Sequence, residues 1–579
     1  MKQIHASPSE DLATVTELTS SNPSDSDPSA KSAQDSATIF PASSKKLFIL
    51  AAIIISILRI AQPMDLAMTN ALSAMVAILT LALYFVWLIF RSNLPIRTRK
   101  RIGITGCLVV VIAVSVFKVT AVDGFLIPTI RLRWSVTPDQ HLASINDEIL
   151  SQNTFSATTG HFDFPKFLGP KGQPLITDAV WNEAPLTTQA VRQKWRRPIG
   201  AGWSAYSAVS IEANQEDTKS VSGIAVTMQQ RDNEEITTAV DIESGSPIWA
   251  VISQGRHETV LGGIGPRSTP TIHKGKAYAL GAFGILNCIE IATGDLIWTH
   301  DLFEIIGSSP KEDASIISWG RSSSPLVVDD LVIVPLGGKP GNPSHSLIAF
   351  DSETGAEKWR AGDRQVSYSS PIVTTLDGKR QIVIVTENNV EGHGIADGSL
   401  LWQYNDWTGF SNSRASTSQP IPISDTDILL TKGYGYGAAR IKISQSTAGD
   451  LPFTATEIWT NPTVLKTKYT NVVIVGSEII GLSDGVLQSV DIETGESNWK
   501  KGRFGHGQIL MVTDILIVQN ENGALHFLRL QERGFKELLE IEAMSDLSWA
   551  NLCLFENQLL IRNSVETVCY ELPLTRISR

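Results

Sequence analysis

Residues 491–499 read Asp491-Ile-Glu-Thr-Gly-Glu-Ser-Asn-Trp499, and the same pattern of an acidic residue, Thr-Gly or Ser-Gly, and tryptophan occurs three more times. These copies are Asp241-Ile-Glu-Ser-Gly-Ser-Pro-Ile-Trp249, Glu290-Ile-Ala-Thr-Gly-Asp-Leu-Ile-Trp298 and Asp351-Ser-Glu-Thr-Gly-Ala-Glu-Lys-Trp359. A shortened copy reads Ala396-Asp-Gly-Ser-Leu-Leu-Trp402, and a stretched one ends at Glu457-Ile-Trp459. The tryptophans lie 49, 61, 43, 57 and 40 residues apart. This spacing is typical of four-stranded blades with loops of variable length.

The chemistry of the pattern predicts a strand, a tight turn and a second strand. The acidic residue ends the third strand of a blade, and glycine adopts the positive φ that a tight hairpin turn requires. The tryptophan then lies on the outer strand, where a large flat ring can pack between neighbouring sheets. A single blade has no stable core of its own, so several must close into a ring.

The starts of the innermost strands give a second, independent count of the repeats. Eight such starts occur, of which the last three are degenerate: Tyr206-Ser-Ala-Val209, Ser268-Thr-Pro-Thr271, Ser323-Ser-Pro-Leu326, Ser369-Ser-Pro-Ile372, Ser418-Gln-Pro-Ile421, Thr470-Asn-Val-Val473, Gly507-Gln-Ile-Leu510 and Trp549-Ala-Asn-Leu552. The eighth copy ends at Cys569-Tyr570-Glu571 without an outer strand, whereas Val191-Arg-Gln-Lys-Trp195 precedes the first copy as an orphan strand. Pairing the two would remove the open edge. The sequence therefore predicts an all-β fold, a closed eight-bladed propeller over residues 191–579.

The N-terminal part of the chain has a different composition. Residues 1–44 contain 11 serines and almost no aromatic residues, which predicts a disordered cytoplasmic tail. Three apolar stretches follow at residues 47–62, 66–90 and 102–122. They predict a region of three transmembrane α-helices within residues 45–122, although the short first stretch could instead be a buried core helix. Residues 123–190 are interpreted as a periplasmic linker with some local structure.

The distribution of positive charge predicts the orientation in the membrane. Five basic residues lie between the second and third stretches (Arg91, Arg97, Arg99, Lys100 and Arg101), and Lys45 and Lys46 precede the first. Basic loops stay in the cytoplasm. Three spans would then place the propeller outside, which predicts a multi-pass protein of the bacterial inner membrane with the propeller facing the periplasm.

Composition excludes several classes of function. The 48 basic and 59 acidic residues give a net charge of −11, and the C-terminal region has no basic cluster, so nucleic acid is not expected as a partner. The four cysteines are scattered and form no C-x-x-C pair. The ten histidines show no metal-binding spacing, and Gly433-Tyr-Gly-Tyr-Gly437 lacks the Lys-Ser/Thr ending of a phosphate loop. We therefore predict no metal ligands, and we interpret the glycine-rich run as a hairpin turn.

The repeat resembles that of the pyrroloquinoline quinone (PQQ)-like propellers, a family that contains quinoprotein alcohol dehydrogenases and the outer-membrane assembly factor BamB. The resemblance covers roughly residues 190–579 and rests on the tail pattern quoted above. The segment Asp163-Phe-Pro-Lys-Phe-Leu-Gly-Pro-Lys-Gly172, with Trp195 and Gly200-Ala-Gly-Trp203, is similar to membrane-anchored bacterial proteins with PQQ-like repeats. This fold carries both enzymes and binding proteins, so the resemblance implies a fold more than an activity.

The resemblance implies two functions that the residues separate only in part. Quinoprotein dehydrogenases hold PQQ and calcium, use an aspartate base and often stack the cofactor on adjacent cysteines, and this sequence has no adjacent cysteine pair. We therefore assign no catalytic residue and predict no cofactor. We favour a tethered, non-enzymatic module that binds or scaffolds envelope proteins, peptide segments or ligands. Inner-membrane lipid is expected as a further partner. A role in outer-membrane assembly is not implied, because BamB carries an N-terminal lipidation cysteine that this chain lacks. The alternative is a PQQ-dependent dehydrogenase that oxidises alcohols or sugars and passes electrons to membrane quinone.

A binding site in a propeller is expected where the innermost strands line the central channel. Aromatic and arginine side chains are the usual anchors of binding surfaces, although the same residues could merely fill the channel. The candidates are the bulky polar and aromatic residues near the strand starts: Trp203, Tyr206, Arg267, Trp319, Arg321, Tyr368, Gln419, Tyr469, Asn471, His506, Gln508 and Trp549.

Overall fold

The computed structural model describes residues 42–61, 65–149, 155–157, 160, 163–182, 186–213, 223–405, 407, 416–447 and 449–577. The disordered tail predicted for residues 1–44 lies outside the described residues, except that residues 42–44 begin the first helix. The chain divides into two compact units. One comprises residues 1–54 and 76–108, and the other comprises residues 55–75 and 109–579.

Eight antiparallel sheets form the propeller, and each contains one blade of four strands. The first four blades are Ser207–Ala213, Gly223–Arg231, Glu234–Asp241 and Pro247–Gln254; Thr271–His273, Lys276–Leu280, Ile285–Glu290 and Leu296–Asp301; Leu326–Val328, Leu331–Gly337, His345–Asp351 and Glu357–Ala361; and Ile372–Leu376, Lys379–Val385, Val390–His393 and Leu400–Tyr404. The prediction of an eight-bladed propeller is confirmed.

The ring closes between its last and first blades. Blades five to seven are Ile421–Pro422, Asp427–Lys432, Gly437–Gln445 and Phe453–Asn461; Val473–Val475, Glu478–Ser483, Val486–Asp491 and Ser497–Arg503; and Gln508–Val512, Ile515–Gln519, Leu525–Gln531 and Gly534–Ile541. The eighth combines Cys553–Phe555, Gln558–Arg562 and Glu566–Glu571 with Arg192–Pro198 from the start of the propeller. Trp195 pairs with Cys569 in this register, so the predicted orphan strand does complete the last blade.

The tryptophans of the repeat join each blade to the next. Trp249, on the outer strand of the first blade, donates its indole N–H to the carbonyl of Ile291 in the second blade at 2.8 Å. A Cβ atom on Gly294 of that turn would lie 2.6 Å from Trp249 Cγ. The same arrangement recurs between later blades, where Trp359 donates to Ile395 and Trp459 donates to Ile492. The turn glycine is therefore needed for its positive φ and also for the close approach of the preceding tryptophan.

Substituting a turn glycine tests this double requirement. Gly355 has φ +72° and lies against Trp298, whereas Gly378 has φ +76° and no atom within 4 Å of a built Cβ. We expect Gly378→Ala to lower the free energy of unfolding by about 1 kcal/mol, for backbone strain alone. Gly355→Ala should cost about 2 to 3 kcal/mol, because the methyl group also displaces the indole ring. Urea unfolding of both variants measures the difference, and equal losses would contradict the packing role.

Three helices precede the propeller: α1, Ala42–Ala61; α2, Leu66–Phe90; and α3, Ile96–Val116. Among the described residues, α2 is the helix that is long and apolar enough to cross a membrane. The prediction of three transmembrane helices is therefore confirmed only in part. The reason is charge, since α1 contains Lys45, Lys46 and Arg59, and α3 begins with four basic residues among its first six.

The third helix is also shifted toward the N-terminus relative to the prediction, since it begins at Ile96 instead of residue 102. It ends at Val116, and Phe117–Val122 forms a β-hairpin with Pro128–Leu132 instead of continuing the helix to residue 122. This strand has the sequence Phe-Lys-Val-Thr-Ala-Val, rich in the β-branched residues that favour strands. Within the unit of residues 1–54 and 76–108, the ring of Phe48 packs against that of Tyr84, with 5.2 Å between the ring centroids. A Cβ on Gly106 would lie 2.3 Å from the ring of Phe85.

Residues 123–190, interpreted above as a linker, contain strands that pair with the propeller. Phe155–Ala157 pairs with the inner strand of the first blade, Leu175–Ile176 runs parallel to the inner strand of the seventh, and Ala179–Trp181 pairs with Leu574–Arg576. The remaining short elements include a β-hairpin formed by Glu258–Thr259 and Gly263–Ile264, and a 3₁₀ turn at Pro138–His141. Three short helices are at Ile145–Glu148, Leu302–Ile306 and Pro310–Ile316.

Candidate binding site at the channel mouth

A cavity of about 440 Å³ lies where the innermost strands begin; we call it the channel-mouth cavity. Two groups of aromatic residues line it. In the first, the Trp549 ring lies 4.8 Å from Trp203 and 4.9 Å from Tyr469. In the second, the Trp319 ring lies 4.9 Å from Tyr368 and 6.3 Å from Tyr434. These rings are supplied by different blades, so the closed ring of blades is what brings them together.

Seven of the twelve candidate residues line this cavity. They are Trp203, Arg267, Trp319, Tyr368, Tyr469, Asn471 and Trp549. All seven lie within a few residues before an inner strand, where the chain turns into the channel. The position of a residue relative to the strand start therefore predicts its place in the fold; whether these side chains bind a ligand stays a prediction.

The other five candidates lie elsewhere. Tyr206 is buried between the first and eighth blades, where its hydroxyl donates to Thr567 at 3.0 Å. The Arg321 guanidinium is buried against Asp313 at 2.8 Å. The side-chain amide of Gln508 donates to the carbonyls of Tyr469 and Trp549. The ring of His506 packs against those of Phe125 and Tyr469. Gln419 lines a second, deeper cavity.

Three polar groups on the lining residues have buried atoms without a hydrogen-bond partner among the described residues. They are the indole N–H of Trp319, the phenol oxygen of Tyr469 and the hydroxyl oxygen of Thr417. Burial raises the pKa of Tyr469 well above its ordinary value, so its phenol stays protonated and can donate. Most buried polar groups in proteins are hydrogen-bonded, and unsatisfied ones call for an explanation.

The charged residues of the cavity already have partners within the chain. The two terminal nitrogens of Arg267 donate to the carbonyls of Gly262, Gly263 and Gly265. Lys468 Nζ lies 3.7 Å from Asp65 Oδ1 and donates to the carbonyl of Gly124 at 3.3 Å. The carboxylate of Asp123, a fourth charged residue of the lining, accepts the backbone N–H groups of Phe125 and Ile127. The lining therefore offers aromatic faces and neutral polar groups more readily than free charge.

The tip of the N-terminal hairpin, residues 123–126, contributes to the lining of the channel mouth. The backbone N–H of Gly124 donates to Glu521 Oε1 at 2.8 Å, and the same carboxylate oxygen accepts the indole N–H of Trp549. Burial lowers the pKa of the adjacent His506 to about 3, so its imidazole is neutral. Sequence reasoning missed this contact and those of Asp65, Thr417 and Tyr434. The Asp123-Gly124 pair is a turn signal, but no local pattern shows which surface such a turn contacts.

Gly124 tests the docking of this hairpin tip. A Cβ at this position would lie 2.2 Å from His506 Cδ2 and 2.3 Å from Tyr469 Oη. We expect Gly124→Ala to undock the tip, at a cost of about 1 to 3 kcal/mol. Trypsin cleavage after Arg131 should then be at least about tenfold faster, because local opening exposes the hairpin. Gly172→Ala, where nothing lies within 4 Å, is the control; equal rates in the two variants would contradict the docking.

Residues 163–176 run between the first two blades and the seventh, and we call them the crossing segment. Asp163 accepts the N–H of Ser210 in the first blade, the carbonyl of Pro165 accepts the N–H of Ile272 in the second, and Met511 in the seventh donates to Pro174. Phe167 lines both the channel-mouth cavity and the deeper one, and so does Ser370, just before the inner strand of the fourth blade. The motif at residues 163–172, which we call the lead-in motif, is therefore part of a strap across the channel.

One group of potential metal ligands occurs among the described residues, and it lies away from the channel. His526, Glu537 and Glu540 are on the third and fourth strands of the seventh blade. The two ring nitrogens of His526 contact different partners, Glu537 at 2.6 Å and Asn520 at 3.2 Å. These contacts satisfy the imidazole without an ion.

Comparisons with known proteins agree with the repeat pattern. Residues 232–501 match the family model described as outer membrane protein assembly factor BamB. No curated protein was found to match the chain. Among solved structures, BamB from Moraxella catarrhalis is 15% identical with a TM-score of 0.44, and the alignment covers 66% of this chain and 100% of that one.

Two alcohol-oxidising enzymes also appear among the similar structures. A europium-containing methanol dehydrogenase is 10% identical with a TM-score of 0.40, covering 70% of this chain and 90% of that one. The quinohemoprotein alcohol dehydrogenase from Comamonas testosteroni is 11% identical with a TM-score of 0.35, covering 76% and 84%. The eight sheets show an eight-bladed β-propeller, and the tail pattern and the match over residues 232–501 show that this region is similar to the PQQ-like propellers with BamB-type repeats.

Proposed function

We propose that the propeller is a non-enzymatic binding module and that its site is the channel-mouth cavity. The observation that carries the proposal is the combination of two aromatic walls with unpartnered polar groups on Trp319, Tyr469 and Thr417. Aromatic side chains are the commonest anchors of binding surfaces, and a bound partner would satisfy the polar groups. The partner that we propose is a segment of a cell-envelope protein that docks into the channel mouth.

The charges of the cavity favour this proposal over a PQQ enzyme. PQQ is a polycarboxylate, and its binding calls for cations that are free to pair with it. The two cations of the lining, Arg267 and Lys468, are held by backbone carbonyls and by Asp65. Calcium requires six to eight oxygen ligands, and one of the two lining carboxylates, Asp123, is engaged in its own turn. These residues do not fit the cofactor or its metal, so we propose no catalytic step.

We further propose that the helices tether the propeller to the inner membrane with the propeller in the periplasm. If α2 alone crossed, the basic residues from Arg91 to Arg101 would hold its C-terminal end, and the propeller with it, in the cytoplasm. Periplasmic display therefore requires α3 to cross back. Its apolar part, residues 102–116, spans only about 22 Å, so the basic side chains before it must reach the interface.

Reporter fusions test this topology. A reporter placed after residue 94 and one at the C-terminus should lie on opposite sides of the membrane, the first in the cytoplasm and the second in the periplasm. Two reporters on the same side would contradict the periplasmic location, while leaving the channel-mouth site untouched.

Site-specific photo-crosslinking in the full-length membrane protein tests the site. Ser318 is exposed and lines the cavity, so a photoreactive residue there should crosslink to an envelope protein. The same residue at Glu532, in an exposed turn of the seventh blade, is the control and should not. Trp319→Phe, which removes the indole N–H and reduces the aromatic surface, should reduce the crosslink at 318. Equal crosslinking at 318 and 532, or turnover of an alcohol or sugar after PQQ and calcium are added, would overturn the proposal.

A further inference from the structure

A second cavity, of about 220 Å³, lies deeper in the channel and is also lined by Phe167; we call it the inner cavity. It is lined by the crossing segment and by residues in or next to the inner strands of the second to fifth blades. No aspartate or glutamate is found among the described residues that line it, whereas two lysines are, Lys166 and Lys171. This composition contrasts with the net charge of −11 for the whole chain.

The ammonium group of Lys166 has no hydrogen bond or ion pair among the residues that the structure describes. Burial lowers the pKa of Lys166, and no carboxylate opposes that shift. Lys166 is partly exposed, and a charge that is even partly removed from water is normally paired, because desolvation is costly. Lys468, one of the two cations of the channel-mouth cavity, follows this rule through Asp65. Lys166 therefore lacks the counter-charge that its position calls for.

Two buried serines add hydrogen-bond donors to the same cavity. Ser324 Oγ accepts the N–H of Thr269, and Ser370 Oγ accepts the N–H of Ser324, both at 2.9 Å. Each hydroxyl proton is left without an acceptor among the described residues, and each side chain is at most 4% exposed. The Oε1 atom of Gln419 is buried without a partner. Flipping this side-chain amide would place its NH₂ group there as a further donor.

We propose that the inner cavity is a binding site for a small oxyanion, a phosphate or a carboxylate group, held by Lys166, Ser324 and Ser370. An ammonium and two hydroxyl donors match a ligand that only accepts hydrogen bonds and carries negative charge. The site adjoins the channel-mouth cavity, which Ser370 also lines, but it does not depend on the function proposed for that cavity. It also gives the lead-in motif a second role, since the strap that crosses the channel delivers Lys166 to this position.

Thermal unfolding and calorimetric titration of the full-length protein test the site, with inorganic phosphate and acetate as probes. Sodium chloride keeps the ionic strength constant. We expect phosphate or acetate to bind saturably and to raise the unfolding temperature of the wild-type protein. Lys166→Gln should weaken that affinity at least tenfold, whereas Lys379→Gln, at an exposed position on the fourth blade, should leave it unchanged.

The anion-free protein gives a second readout with the opposite sign. Without phosphate or acetate, Lys166→Gln should unfold at a higher temperature than the wild type, because an unpaired and partly buried charge has been removed. With saturating anion, the order should reverse or the difference should disappear. The proposal is overturned if the wild type responds to phosphate and acetate no more than to chloride, or if Lys166→Gln binds them as tightly as the wild type.

Discussion

Arg562→Met is expected to lower the free energy of unfolding by about 3 kcal/mol, among the largest single effects in the propeller. Arg562 ends the second strand of the eighth blade and is 1% exposed. Its guanidinium donates to the carbonyls of Gly200, Gly202 and Met228 and to the hydroxyl of Thr227. All four acceptors lie in or just before the first blade. Methionine fills a similar volume and leaves these acceptors buried without a donor, and removal of the desolvated charge offsets only part of that loss.

A surface arginine provides the matched control. Arg529, on the seventh blade, pairs with Asp514 at 3.0 Å, and both side chains are more than half exposed. Exposed ion pairs contribute little, so Arg529→Met should change stability by no more than about 0.5 kcal/mol. Urea unfolding, followed by tryptophan fluorescence, measures both variants. If Arg562→Met were as mild as Arg529→Met, the hydrogen bonds of Arg562 would not hold the ends of the ring together.

Ring closure shows how much of the fold the sequence predicts. The orphan strand at residues 191–195 was enough to predict pairing with the eighth blade. Both the strand pattern and the missing outer strand of that blade can be read from the sequence. The structure extends it to Arg192–Pro198 and pairs it with Glu566–Glu571. The role of Arg562 was not predictable, because its acceptors lie more than 330 residues away in sequence. The repeat pattern indicates local turns, but it does not indicate which side chain bridges the first and eighth blades.

The candidate site was likewise only partly predictable from the repeats. The aromatic residues at strand starts were predicted because each repeat places the strand start at the channel. Tyr206 has a similar position, yet its ring turns into the gap between blades, where it is 1% exposed. Side chains on successive strand residues point to opposite faces, so a shift of one residue exchanges the channel for the core. The contacts of Asp65, Gly124 and the crossing segment come from outside the repeats, and no periodicity predicts them.

The transmembrane prediction was limited by charge at the helix ends. The notion of three spans rested on three apolar runs, and the structure does contain three helices there. The basic residues of α1 and α3 fall inside the helices, which shortens the apolar length of each, and the strand at Phe117–Val122 removes six residues from the third run. Hydropathy alone does not distinguish the end of a span from the start of a β-hairpin, since Val and Thr suit both contexts.

Glu235→Gln is expected to stabilise the protein at pH 8 by up to about 3 kcal/mol and to have little effect near pH 4. Glu235 is 2% exposed, and its Oε2 accepts the N–H of Ala282 in the second blade. Burial raises the pKa of this carboxyl from 4.5 to about 7, against the opposing influence of the Ala282 N–H and of the Arg267 charge. The folded state therefore keeps a proton that the unfolded chain releases between pH 4.5 and 7. Stability is lost as the pH rises through this window.

The pH dependence separates this cause from a general gain in packing. Glutamine keeps an oxygen that can accept the Ala282 N–H but has no proton to release, so the variant should lack the fall in stability between pH 4.5 and 7. Glu234→Gln, at the neighbouring and more exposed position, should retain the wild-type profile. Urea midpoints for the three proteins from pH 4 to 8 measure the profiles. A Glu235→Gln profile parallel to that of the wild type would mean that Glu235 is ionised in the folded state, with Arg267 close enough to offset its burial.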